Sequence, residues 1–118
     1  MEEDARKALP LTPLTYHILL ALADEDRHGY GIIKEVETRT GGEMSIETGA
    51  LYHALKRMLD EGFIEPVPPG DRPKGEDRRR RAYRLRPFGE EVLRAESLRL
   101  RQLLGIAAEK DILPASST

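Results

Sequence analysis

Apolar residues recur at two different spacings along the chain, and the change of spacing predicts the order of its secondary structure. A spacing of three and four predicts four helices: about Pro13 to Ala23, His28 to the Gly41-Gly42 pair, Ser45 to Gly62, and Phe88 to the region of Lys110. Alternation predicts two strands: Phe63 to Val67, and a strand within Arg78 to Arg86. This order predicts a mainly α (α+β) chain.

The segment from Ser45 to Gly62 has a start, a stop and two different faces. Ser45 is a predicted N-cap, and Gly62 is a predicted residue just past the helix end. At 100° per residue the apolar face comprises Leu51, Ala54, Leu55 and Met58, with Ala50 and Leu59 at its edges. The opposite face comprises Gly49, His53, Lys56 and Asp60, with Tyr52 and Arg57 on its flanks. Such a face is usually a solvated surface, and it also suits a helix that lies in a DNA major groove.

Two helices and a glycine-containing turn precede this segment. Thr12 as N-cap and Pro13 at the first position predict a sharp start for the first helix. The second helix carries two glycines in its first turn, Gly29 and Gly31, which allow either close helix packing or close approach of the backbone to a phosphate. Two helices joined by the turn at 42–44 match the helix-turn-helix pattern.

The region after Gly62 is predicted to form a β-hairpin wing. Pro66 restricts the first strand to a sheet edge or to the end of the strand. The stretch 68–77 is rich in proline and glycine and is predicted to be a loop. A hairpin that follows a helix-turn-helix makes the predicted fold a winged helix-turn-helix.

Charge is distributed unevenly along the chain. The 118 residues carry a net charge of −2, yet Arg72 to Arg86 contains eight basic residues and only two acidic ones. A basic cluster on a wing beside a helix-turn-helix predicts an electrostatic contact with nucleic acid. The alternative is that the arginines only keep the end of the strand soluble.

The composition argues against several other classes of protein. Cysteine is absent, and the three histidines (His17, His28 and His53) lack a metal-ligand spacing, so we expect neither a metal site nor a cofactor. The sequence shows no pattern of catalytic nucleophile and base, so we expect no enzyme. An acidic amino-terminal stretch without a signal pattern, and no apolar run near the roughly 20 residues of a membrane span, predict a cytoplasmic protein that makes no membrane contact.

Five stretches together resemble the PadR family of bacterial transcriptional regulators. Their order and spacing carry the resemblance: Tyr16 to Leu22, His28 to Ile32, Gly49 to Met58, Glu61 to Ile64 and Arg81 to Gly89. The resemblance implies a homodimer held by the carboxy-terminal helix, which represses genes by binding inverted-repeat operators in double-stranded DNA. With one such helix, the chain resembles the short subclass of the family.

The resemblance also leaves questions about ligands and about single positions. Some family members respond to phenolic acids or hydrophobic drugs, so a small hydrophobic or aromatic effector is a candidate partner. Part of the short subclass uses a tryptophan for this purpose, and this chain has none, so ligand binding is not carried over. Met58, Phe63 and Arg86 depart from the family pattern. Glu47 places a negative charge near the start of the helix that is expected to lie in the major groove. There it weakens a phosphate contact or accepts a hydrogen bond from cytosine.

These patterns define the candidate functional residues and the expected organisation. The candidates for DNA contact are Ser45, Thr48, Gly49, Tyr52, His53, Lys56, Arg57, His28, Tyr30, Lys74, Arg78, Arg79, Arg80 and Arg81. The candidates for dimerisation are Phe88, Val92, Leu93, Leu100, Leu103, Leu104 and Ala107. We expect a flexible arm at 1–10, a DNA-binding domain at 11–86, a dimerisation helix at 87–111 and a disordered tail at 112–118. The alternative function is a winged-helix module that binds a protein without specific DNA binding.

Overall fold

The computed structural model describes residues 2–68, 70 and 81–114, which form five helices and a small antiparallel sheet. The helices are α1 (Glu2–Lys7), α2 (Pro13–Ala23), α3 (Gly29–Arg39), α4 (Thr48–Glu61) and α5 (Pro87–Glu109). The strands are β1 (Arg27–His28), β2 (Ile64–Pro66) and β3 (Ala82–Leu85). The predicted winged helix-turn-helix, mainly helical with a small sheet, is confirmed.

Helices α2, α3 and α4 enclose the core together with the sheet. Each buries a stripe of aliphatic side chains, and the largest fully buried ones include Ile18, Leu19, Ile32, Leu51 and Leu55. The start of α2 agrees with its sequence pattern, because the Thr12 hydroxyl accepts a hydrogen bond from the Thr15 backbone N–H at 3.1 Å.

Helix α4 begins at Thr48, two residues later than a predicted N-cap at Ser45 implies. Ser45 is therefore not the N-cap, which is Glu47 in an extended backbone conformation (φ −69°, ψ 140°). The reason lies in the tertiary structure: Ile46 is buried in the core and holds the preceding segment extended. The predicted end of the helix is confirmed, since Gly62 adopts the left-handed conformation with φ 81°.

The sheet has the strand order β1-β3-β2, so β3 is its central strand. Pro66 lies on the edge strand β2 and pairs with Tyr83 of β3. An edge position suits proline because it has no N–H to donate to a further strand. Strand β1 was not among the elements predicted from the sequence. A two-residue strand has no periodicity of its own, and only the pairing of Arg27 with Tyr83 and of His28 with Ala82 defines it.

Residues 2–7 of the predicted flexible arm and residues 112–113 of the predicted disordered tail have hydrogen-bonded structure, whereas residues 115–118 lie outside the described residues. Residues 2–7 form α1, which packs against α5 with Ala5 fully buried, so the described part of the arm is a docked helix. After α5, Asp111 takes a left-handed conformation with φ 60°. The backbone N–H of Ile112 then donates to the Ala107 carbonyl oxygen at 2.9 Å, which caps the helix.

Candidate nucleic-acid interface

The outer face of α4 is a row of exposed side chains opposite a buried apolar stripe. Leu51, Ala54, Leu55 and Met58 are buried, as predicted from their spacing. The opposite positions are exposed: Thr48, Gly49, Tyr52, His53, Lys56 and Arg57. Within the part of the chain that the structure describes, Lys56 and Arg57 form no ion pair. Their charges are therefore available to an anionic partner.

Tyr52 lies against the first turn of α3. A Cβ atom placed on Gly29 would stand 2.7 Å from the Tyr52 hydroxyl oxygen and 3.2 Å from Leu51 Cδ2. The absence of a side chain at Gly29 is therefore what lets α3 and α4 approach each other here. Gly31 differs, because the nearest atom to its added Cβ is Arg27 Cβ at 3.7 Å. Of the two explanations for this glycine pair, close packing holds at Gly29 and not at Gly31.

Tyr30 and His28 occupy unlike positions at the start of α3. Tyr30 is 58% exposed, and Lys34 Nζ lies 5.7 Å from the centre of its ring, so a cation and a phenol project together from α3. His28 is half-buried because it belongs to β1 and pairs with Ala82. Among these two candidates, Tyr30 offers the larger free surface.

The Tyr83 phenol lies at the base of the wing, near Arg81 and Tyr52. Tyr83 is buried on β3, and burial raises the pKa of its phenol, although the charge and hydrogen bond of Arg81 act in the opposite direction. Tyr52 is close enough to raise the pKa of Tyr83 further. Arg81 itself is exposed where β3 begins. Lys74, Arg78, Arg79 and Arg80 lie outside the described residues, so their part in the wing stays a prediction.

Acidic partners neutralise other arginines of the sheet. Arg84 forms an ion pair with Asp26 at 3.0 Å, and Arg86 lies 3.7 Å from the Glu65 carboxylate. Arg27 donates to the Ala21 carbonyl oxygen at 2.6 Å and forms ion pairs with the acidic loop at 24–25. These arginines thus hold the loop and the strands together, and their paired charges contribute less to the basic surface than the number of arginines in the sequence suggests.

The predicted dimerisation residues on α5 separate into buried and exposed groups. Val92 and Leu93 are buried in the chain's own core, and the Phe88 ring lies 5.7 Å from the Phe63 ring. Val92 and Leu93 are therefore removed from the candidates for a partner contact, because that side of α5 already packs on the domain. Leu100 and Ala107 are half-buried.

Further along α5, four large apolar side chains are about half exposed to solvent: Leu98, Leu103, Leu104 and Ile106. Leu98 and Ile106 were not among the dimerisation residues predicted from the sequence. Their apolar character was visible there, but the face of α5 that packs on its own domain was not.

The remaining features of the described residues give no support for a bound ion or a membrane span. Two open grooves of about 860 and 720 Å³ flank α5, one beside the acidic loop and the other beside α1. No group of three or more metal-ligating side chains occurs in the described ranges. None of the described helices is long and apolar enough to cross a membrane.

Comparison with known proteins identifies the family. The model of the transcriptional regulator PadR-like family matches residues 18–95. The chain belongs to the PadR-like family. This family comprises transcriptional regulators and not enzymes, which agrees with the absence of a catalytic pattern in the sequence.

Individual PadR-like relatives show how far the similarity extends. A transcription regulator of the PadR family from a hypervirulent Clostridium difficile strain is 26% identical with a TM-score of 0.68, over 83% of this chain and 97% of that one. The PadR of Bacillus subtilis, solved in complex with operator DNA, is 27% identical with a TM-score of 0.60, over 71% of this chain and 46% of that one.

A curated relative is much longer than the chain. An uncharacterized 37.1 kDa protein in transposon TN4556 of Streptomyces fradiae is 33% identical over 95 residues, which are 80% of this chain. The chain spans 25% of the length of that relative.

Proposed function

We propose that this protein is a sequence-specific DNA-binding regulator that represses transcription by binding an inverted-repeat operator as a homodimer. The observation that carries the proposal is the outer face of α4, where Lys56 and Arg57 are exposed without acidic partners in the described part of the chain. In a helix-turn-helix protein this second helix enters the major groove. Membership of the PadR-like family supports the same role.

The roles within the interface follow from position and chemistry. Thr48 and His53 reach base edges from the outer face of α4, and Gly49 lets the helix backbone approach the DNA. Tyr52, Arg57 and Tyr30 lie on the flanks, where phosphates run beside the groove. The wing arginines from Arg78 to Arg81 add contacts to the neighbouring phosphates, which raise affinity for DNA of any sequence.

Dimerisation follows from the need to place two reading helices in successive major grooves, roughly 34 Å apart. The exposed apolar residues of α5 are suited to a second copy of the chain: Leu98, Leu103, Leu104 and Ile106. Burying them against a partner removes their apolar surface from water, which favours association. The groove between α1 and α5 borders Leu98, so α1 extends the same surface.

A gel-shift experiment tests DNA binding. The wild-type protein should retain DNA from the region upstream of its own gene at physiological salt. A variant with Lys56→Ala and Arg57→Ala should bind at least tenfold more weakly, because a hydrogen bond to a charged group is worth about 1.5–3 kcal/mol. The control variant Arg101→Ala removes a cation from α5 and should bind normally.

Two outcomes of the gel shift would contradict the proposal. Absence of any shift with the wild type would favour the protein-binding module. Equal weakening by Arg101→Ala would mean that α4 has no special role.

Light scattering at micromolar concentration tests the homodimer. We expect a dimer for the wild type and a monomer for Leu104→Glu, because a carboxylate in an apolar interface loses its hydration. The control Thr38→Glu places the same charge on an exposed position of α3 and should remain dimeric. A monomeric wild-type protein would refute this part of the proposal.

A further inference from the structure

Glu47 carries an exposed carboxylate at the entrance of α4. It occupies the N-cap position, and its backbone carbonyl oxygen accepts a hydrogen bond from the Leu51 N–H at 2.9 Å, but its side chain makes no capping hydrogen bond to the helix. In the part of the chain that the structure describes, the carboxylate forms no hydrogen bond or ion pair. It lies at the positive end of the helix dipole, and its oxygens are available to an external partner.

The position of this carboxylate is set by Gly49. A Cβ atom added to Gly49 would stand 3.6 Å from Glu47 Oε1, so the carboxylate lies beside the bare backbone of that glycine. Gly49 begins a row that continues at i+4 with His53 and at i+7 with Lys56. Glu47 therefore extends the row of outward side chains on α4 by one acidic position at its amino-terminal end.

A carboxylate in this row discriminates strongly between the parts of DNA that it can meet. Phosphates repel it, and the major-groove edge of guanine presents only acceptors, N7 and O6. Adenine offers its N6 amino group beside the acceptor N7, whereas the cytosine edge offers its N4 amino donor without a neighbouring acceptor. Thymine presents the O4 acceptor and a methyl group, so cytosine is the base that a carboxylate fits best.

We propose that Glu47 is a specificity-determining residue, which accepts a hydrogen bond from the N4 amino group of a cytosine in each operator half-site. This inference rests on the proposed function, since it assigns one base to the helix that reads the DNA. The open space over Gly49 admits the base edge to the carboxylate. Lys56 and Arg57 attract the phosphates, and Glu47 makes binding without a correctly placed cytosine unfavourable.

Selection from a DNA library with randomised half-sites tests this inference. The wild type should enrich cytosine at one position in each half-site. Glu47→Ser should lose about 10- to 150-fold of that preference, the value of one hydrogen bond to a charged group, while retaining the other base preferences. Serine is a better N-cap than glutamate, so a misfolded helix does not explain the loss.

Asp60→Ser is the matched control, because it removes an exposed carboxylate from the other end of α4. It should leave the base preferences unchanged. If Glu47→Ser and Asp60→Ser raise affinity for all sequences alike, Glu47 acts only through its charge and the inference is wrong. If the wild type selects no sequence at all, both the proposed function and this inference fail. If the wild type selects an operator without this cytosine, only the role of Glu47 fails.

Discussion

Single glycines decide how closely other groups approach the two helices of the helix-turn-helix. At Gly29 the missing side chain makes room for the Tyr52 ring, whereas at Gly49 it leaves open space beside the Glu47 carboxylate. The first glycine serves the packing of the protein, and the second leaves the surface of α4 open. The same substitution should therefore have different effects at the two positions.

Gly49→Ala should separate stability from DNA binding. The added methyl group meets only Glu47 Oε1 at 3.6 Å, an ordinary contact, and alanine favours a helix over glycine by up to about 1 kcal/mol. We expect thermal unfolding at an equal or higher temperature and weaker operator binding, because the methyl group holds the helix away from the base edges. A variant that binds as tightly as the wild type would show that DNA does not approach this glycine.

Gly29→Ala should act through Tyr52. The new methyl group would stand 2.7 Å from the Tyr52 hydroxyl oxygen, so the ring must move. We expect a loss of about 1–3 kcal/mol in the free energy of unfolding, the usual effect of overpacking. In a Tyr52→Ala background the same substitution should cost less, and a double-mutant cycle measured by denaturant unfolding gives the difference. Additive effects would argue against this contact.

Among the elements, α5 has two attachments to the rest of the chain. At its first turn, Gly89 lies directly on the backbone of Phe63, whose carbonyl oxygen accepts a hydrogen bond from the Arg86 N–H at 2.9 Å. In its middle, the buried carboxylate of Glu96 accepts hydrogen bonds from the Leu11 backbone N–H at 2.8 Å and from Arg99. The helix is thus fixed both to the wing and to the start of α2.

Gly89→Ala should be severely destabilising. A Cβ atom at Gly89 would stand 2.0 Å from the Phe63 carbonyl oxygen, and backbone atoms cannot move aside as a side chain can. We expect a loss of about 3 kcal/mol or more, the upper end of overpacking costs, measured by urea unfolding. Gly105→Ala is the control on the same helix, where nothing lies within 4 Å, and should stabilise the helix slightly. Similar effects at both glycines would contradict this account.

Glu96 should make the free energy of unfolding depend on pH in the acidic range. The hydrogen bond from Arg99 holds the pKa of Glu96 below its ordinary value of 4.5, although burial opposes the shift. The unfolded chain therefore takes up the proton first, and the stabilisation is complete above about pH 4.5 and lost as the pH falls through the lower folded pKa.

Glu96→Gln should therefore reduce the free energy of unfolding at neutral pH by about 1–3 kcal/mol and flatten its fall in acid. Urea titrations at a series of pH values measure both effects. Glu91→Gln, an exposed position on the same helix, should change neither. A pH profile of Glu96→Gln that parallels the wild type would contradict the role of this carboxylate.

On the scale of the whole molecule, the exposed cations and the exposed apolar side chains lie on different helices. Acidic residues at 24–26 pair with arginines of the sheet, whereas Lys56 and Arg57 of α4 have no acidic partner among the described residues. The apolar surface lies instead along the outer part of α5. We therefore expect salt to act on DNA binding and to have little effect on dimerisation.

Replacing the four arginines from Arg78 to Arg81 with alanine should weaken binding to every DNA sequence and reduce its dependence on salt. Each lost phosphate contact reduces the magnitude of the negative slope of log affinity against log salt by about 0.9. Fluorescence anisotropy with operator and unrelated DNA at several salt concentrations measures the slope. The control Lys7→Ala with Lys110→Ala should leave it unchanged. An unchanged slope in the wing variant would refute the electrostatic role of the wing.

Sequence periodicity predicted the helix-turn-helix well, because α2, α3 and α4 each repeat apolar residues at helical spacing and bury that stripe. It failed where a contact distant in sequence decides the local structure. Strand β1 exists through its pairing with β3, α1 through its packing on α5, and the late start of α4 through the burial of Ile46. The exposed row on α4 could be read from the sequence, since the buried stripe determines its opposite face.

The sequence by itself determined the order of the main helices, the family resemblance and the polar face of α4, since these follow from the local spacing of residues. Only the tertiary structure decided that Val92 and Leu93 belong to the core, that Gly29 accommodates Tyr52, and that the Glu47 carboxylate remains exposed without a hydrogen-bond partner among the described residues. The physical reason is that the burial and the partners of a side chain depend on chain segments far away in sequence, which bring their own atoms to it only when the chain folds.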